Sequence, residues 1–123
     1  MIEMEVFEND AVLTFFGADH SLISSSVKAI HISLFEGNLA VAIDFGLLYS
    51  KDQKNFRIRL IDVIEYAFYH KNGYDFYNVV NLKFFAIGEL YYLSLDPDES
   101  VKGRSDSDND FVLCKKLQAT RSE

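Results

Sequence analysis

Asp19-His20-Ser21 sets a carboxylate, an imidazole and a hydroxyl in succession, the three side-chain types of an acyl-transfer site. In such a site the hydroxyl attacks, the imidazole takes its proton and the carboxylate orients the imidazole. Neighbouring side chains point apart, so adjacency works against the convergence that chemistry requires. The chain has no Gly-x-Ser-x-Gly elbow and no His-x-x-x-His zinc pair. His20 is the best catalytic suspect in a chain otherwise expected to be non-enzymatic. His31 falls on an extended segment, opposite the face that carries Ile30 and Ile32, and His70, like the other two histidines, would need partners that converge on it in space.

A second candidate is Asp106-Ser107-Asp108-Asn109-Asp110, whose alternating acids resemble the opening of a calcium loop. Asp96, Asp98 and Glu99 add oxygens nearby. The sixth position, where an EF-hand has Gly, is Phe111, and the twelfth, where it has Glu, is Leu117. Lys102 and Arg104 compete for the same carboxylates. The segment is therefore expected to be a solvated loop, with no metal and no cofactor. Cys114 is the only cysteine, which excludes an internal disulfide and a thiolate cluster. It alternates with the apolar set of its strand and reads as a small buried hydrophobe.

Charge and aromatic content point to binding rather than catalysis. The formal charge is -7, and the first 50 residues hold seven acids against one base, Lys28. Such a surface repels a phosphate backbone, so nucleic acid is not an expected partner. It either serves as a solvated, solubilising face or steers a basic protein. Ten of the eighteen aromatic residues fall between Tyr66 and Tyr92. Phe84-Phe85 and Tyr91-Tyr92 put rings on both faces of one hairpin, because neighbouring strand residues point oppositely. One face is core; the other must be covered, line a ligand cavity or form a docking patch. On this reading the partner-binding residues are Tyr69, Phe85, Tyr92, Glu36 and Asp44.

The elements that would position these groups follow from a period of two. Ile30, Ile32 and Leu34 alternate with His31 and Ser33; Glu36-Gly37-Asn38 makes a turn; Leu39, Val41, Ile43 and Phe45 alternate with Asp44. Phe56, Ile58 and Leu60 alternate with Arg57 and Arg59, giving a strand with an arginine-bearing outer face. Ile64, Tyr66 and Phe68 continue as strand rather than helix. A second hairpin turns at Ile87-Gly88-Glu89, with Val80, Leu82, Phe84, Leu93 and Leu95 expected inward. A last strand covers residues 111–117, and the polar residues 118–123 are expected to fray. A short helix over residues 11–16, capped by Asn9 or Asp10 and ended by Gly17, is the one helical segment.

These elements predict a mainly β single domain over residues 1–123. The expected architecture is an antiparallel sandwich or barrel of about six or seven strands, with at most one or two short helices. With no apolar run near 20 residues and no leader pattern, a cytoplasmic chain without membrane contact is expected. The segments Phe15-Phe16-Gly17-Ala18-Asp19-His20-Ser21, Glu36-Gly37-Asn38 and Tyr91-Tyr92-Leu93-Ser94-Leu95-Asp96-Pro97 together resemble small uncharacterised bacterial β-rich proteins, some of them immunity proteins of toxin systems. That resemblance implies a non-enzymatic protein-binding module, an inhibitor of a basic toxin. The alternatives left open are a small-ligand binder with an aromatic-lined β-cup and a homodimer.

Overall fold

In a computed structural model, residues 6–17, 22–47, 55–69 and 78–122 are described. Asp19, His20, Ser21 and His70 lie outside them, as do Tyr74, Phe76 and Tyr77. In chain order the elements are β1 (Val6–Glu8), α1 (Asp10–Phe16), β2 (Ser26–Phe35), β3 (Asn38–Gly46), β4 (Asn55–Ala67), β5 (Lys83–Ile87), β6 (Leu90–Asp96) and β7 (Asn109–Ser122). The seven strands form one antiparallel sheet in the order β2-β3-β4-β7-β6-β5, with β1 also on β7. The two ends of that order are drawn together. Val79 donates its N–H to the Ser25 carbonyl at 2.9 Å, and Asn78 bridges to Ser26, tying the start of β2 to the approach to β5.

Both hairpins turn where glycine relieves a positive φ. Glu36 (φ 52°) and Gly37 (φ 87°) are both left-handed between the paired Phe35 and Asn38, as a two-residue type I′ turn demands. Gly88 (φ 58°) leads the β5-β6 turn between Ile87 and Leu90. The strand reading of residues 61–70 is met through Ala67. It passes through Asp62, whose φ of 59° is unusual inside a strand and is tolerated by a short polar side chain. There the strand turns over. Arg57, Arg59 and Ile61 share the outer face, whereas Val63 and its neighbour Cys114 belong to the core.

That core lies on one face of the sheet. Val41, Ile43 and Phe45 of β3, Phe56, Ile58 and Leu60 of β4, and Leu117 and Ala119 of β7 are all buried there. Val12 and Phe16 of α1 pack onto it, and the Phe16 ring meets Phe56 edge-on at 5.3 Å. Burying the seven larger of these strand side chains gives roughly 1.5–3 kcal/mol each before the entropy of ordering the chain is set against it.

Asn9 precedes α1 without capping it through its side chain. Its backbone N–H donates to the Leu117 carbonyl and its Oδ1 accepts from the Leu117 N–H, both at 2.9 Å, so it clamps the helix entry to β7.

Two expectations fail. Residues 118–122 do not fray: they continue β7 between β4 and β1, with Ala119 in the core while Gln118 and Thr120 lie on the polar face. Polarity there marks an outer sheet face, not a loose end. Val80 does not point inward but is 69% exposed, because β5 starts only at Lys83.

Candidate functional site

The second aromatic face is covered by the chain's own loop. Tyr92, Phe85 and Phe111 point away from the main core; the Tyr92 ring lies 5.5 Å from Phe85 and 5.8 Å from Phe111. Residues 97–108 fold across them. The Arg104 guanidinium sits 5.4 Å over Tyr92 and 5.1 Å over Phe111, and pairs with Glu65 at 2.6 Å. Cation–π contacts of this kind stabilise by about 0.5–2 kcal/mol.

Asp108 anchors that loop. Its buried carboxylate accepts from Lys83 Nζ at 2.9 Å, the Tyr92 hydroxyl at 2.7 Å, the Asp98 N–H at 2.8 Å and the Ser105 N–H at 2.9 Å. Lys83 Nζ donates in addition to the Gly103 carbonyl at 2.7 Å. Burial alone would raise the Asp108 pKa, but the bonds from Lys83, Ser105, Tyr92 and Asp98 together outweigh it and hold the carboxyl at about 2. The same burial and the Asp108 charge push the Tyr92 hydroxyl upward. The acidic run is thus not a solvated loop throughout. Asp108 is filled by protein donors, and Asp110 accepts the Tyr69 N–H at 2.8 Å. Among the described residues no cluster of three or more His, Cys, Asp or Glu could hold a metal.

A polar cluster occupies the other half of the outer face, on β2, β3, β4 and β7. The Arg57 fork grips Asp44, Nε to Oδ1 at 2.6 Å and Nη2 to Oδ2 at 3.0 Å, and His31 Nε2 lies 3.2 Å from the same carboxylate. The Arg57 hydrogen bond is the main reason the Asp44 pKa is lowered, and burial opposes it. Arg59 donates to Gln118 Oε1 at 3.0 Å and lies 5.0 Å over the Phe35 ring. Lys28 donates to Asn55 Oδ1 at 2.9 Å. Lys28, Asp44, Asn55, Arg57, Arg59 and Thr120 border a cavity of about 440 Å³. The arrangement can bind an anion. Cys114 is fully buried, which pushes its thiol up to about 12 and keeps it unreactive.

A third feature is the free edge of β2. Phe35, Ser33 and His31 pair with Asn38, Ala40 and Ala42 across the tight turn. By the antiparallel alternation, Ile30, Ile32 and Leu34 then turn their N–H and C=O groups away from β3. Among the described residues β2 has no other partner beyond the bridge at Ser26. Ile32 is 46% exposed, Leu34 74% and Leu39 38%, whereas Val41 in the next row is fully buried. The apolar row runs out past the core to the hairpin tip.

The five residues expected to meet a partner do not form one surface. Tyr92 has no exposure, so it is corrected from a contact residue to a buried one, removed from solvent by the 97–108 loop. Phe85 is half-buried against it. Asp44 is held by Arg57 and His31, Glu36 is exposed at the β2-β3 tip, and Tyr69 is exposed beyond β4. The β3 and β6 strands are three positions apart in the sheet, about 14 Å at the usual strand spacing. Sequence reading identified the arginine face of β4, the outward His31 and the acidic run that holds Asp108, but missed Lys83, the burial of Asp108 and the open edge. A lysine between Leu82 and Phe84-Phe85 was the available sign of a buried ion pair. Compared with protein-family models, curated proteins and solved structures, the chain matches none. No helix among the described residues is long and apolar enough to cross a membrane.

Proposed function

We propose that this protein is a non-enzymatic binding module that accepts a strand of a basic partner protein on the edge of β2. The observation that carries the reading is the exposure of Ile32 and Leu34 on an edge whose backbone groups are open. Such an edge recruits an extended chain, with main-chain bonds supplying affinity and alternate side chains supplying register. The partner segment would carry apolar residues at alternate positions, opposite Ile30, Ile32 and Leu34. Basic charge elsewhere on the partner is favoured by the net -7 and by its concentration in the first 50 residues. The resemblance to immunity proteins leads the same way: the partner would be a toxin, and the module would act in a reducing cytoplasm, where a lone cysteine stays free.

The test is to purify the product of the adjacent gene and measure its binding by calorimetry to wild-type chain and to Leu34→Lys. Binding that weakens at least tenfold in the variant and falls with added salt supports the reading. Binding indifferent to Leu34→Lys, or none, contradicts it. Self-association through the same edge is the competing occupant; a dimer in sedimentation that Leu34→Lys dissociates would identify it.

A further inference from the structure

We propose that the cavity on the outer face of β3 and β4 is a binding site for a small organic anion carrying two phosphate or carboxylate groups. The inference is independent of the strand-docking reading. Three cations, Lys28, Arg57 and Arg59, and one carboxylate, Asp44, border a space of about 440 Å³. That size suits a metabolite. The Asp44 carboxylate is already used by both arms of Arg57 and by His31. Lys28 and Arg59 face only neutral amide oxygens, Asn55 at 2.9 Å and Gln118 at 3.0 Å, and among the described residues neither has an acidic partner. Among the described residues these two cations on one open face have no counter-charge; in a chain of net charge -7 they are a local excess that a bound dianion would neutralise.

Both cations are held in place before any ligand arrives. A Cβ on Gly46 would come within 2.8 Å of Lys28 Cε and 3.1 Å of Ser26 Oγ, so the glycine is what lets Lys28 lie across β3 toward Asn55. Arg59 is steadied by the Phe35 ring and by Gln118, which lowers the entropy lost on binding. Asn55 and Arg59 are four residues apart on β4, about 13 Å of strand. That spacing favours two anionic groups separated by a short carbon frame over a single phosphate.

Calorimetry with a hexose bisphosphate, with the dicarboxylate adipate and with inorganic phosphate tests the site. The expected result is one-to-one binding of a two-group probe, at least ten times tighter than inorganic phosphate. It should be weakened at least tenfold in Lys28→Gln, in Arg59→Gln and in Gly46→Ala, each first shown to melt cooperatively. Leu34→Lys, which disables the β2 edge, should leave it unchanged, so failure of one reading does not imply failure of the other. No saturable heat from either two-group probe, or affinities unaffected by the three cavity variants, would overturn the proposal.

Discussion

Replacing Asp108 by Asn tests whether the 97–108 loop is held by a buried ion pair rather than by its own turns. The side chain of Asp108 is fully buried and that of Lys83 is 8% exposed. Removing the negative charge leaves the Lys83 ammonium in the interior facing only neutral oxygens, the Gly103 carbonyl and the amide that replaces the carboxylate. Breaking one side of a buried pair costs about 3–5 kcal/mol. For a chain of this size that is a melting point lower by about 12–20 °C. The double variant Lys83→Met, Asp108→Asn should be less destabilised than the two single losses added together, because the stranded charge is gone. Acid gives a second reading of the same group. The folded Asp108 carboxyl sits at about 2 against an ordinary 3.8, so its contribution is fully present above pH 4 and is lost as pH falls toward 2. That shift corresponds to about 2 kcal/mol, which Asp108→Asn should abolish. Urea titrations at pH 7 and between pH 4 and pH 2 measure both effects. An Asp108→Asn variant within about 1 kcal/mol of wild type, or one with an unchanged acid limb, would refute the reasoning.

Five smaller outcomes are expected. Arg57→Gln should cost no more than about 1 kcal/mol by thermal melting, since the Arg57-Asp44 pair is open to solvent. Glu36→Asn should stabilise by about 0.5 kcal/mol and Gly37→Ala should destabilise by about 1 kcal/mol, because both positions of the turn have positive φ. Folded protein at pH 8 should not react with a thiol reagent such as DTNB, whereas urea-unfolded protein should react fully, because Cys114 is buried. Leu34→Lys should leave the unfolding free energy in urea within about 0.5 kcal/mol of wild type, since that side chain is mostly in water.

The hairpins and the core strands were legible because period-two alternation reports which side of a sheet is dry, and Glu36-Gly37 and Gly88 announce their turns. The face reversal at Asp62 was not, since a positive φ in an aspartate leaves no mark in an apolar pattern. Nor was the strand over residues 118–122, whose outer face is polar and so looks like a tail. For the candidate sites, Arg57, Arg59 and His31 were visible as outward residues, but their convergence on Asp44 depends on a register between strands that sequence does not contain. The aromatic excess between Tyr66 and Tyr92 leaves its second face open to cover, a ligand cavity or a docking patch, with Tyr92 among the expected contact residues. The structure instead buries Tyr92 under a loop, because Asp108 lies sixteen residues away yet meets its hydroxyl.

The most direct test of strand docking is amide hydrogen exchange on β2, with and without the adjacent-gene product. In the free protein the N–H groups of Ile30, Ile32 and Leu34 face outward and should exchange rapidly, while those of His31 and Ser33, bonded to β3, should be protected. With the partner bound, the account predicts that the three outward amides become protected in that same alternating pattern. Partner binding that leaves Ile30, Ile32 and Leu34 exchanging as in the free chain would contradict it.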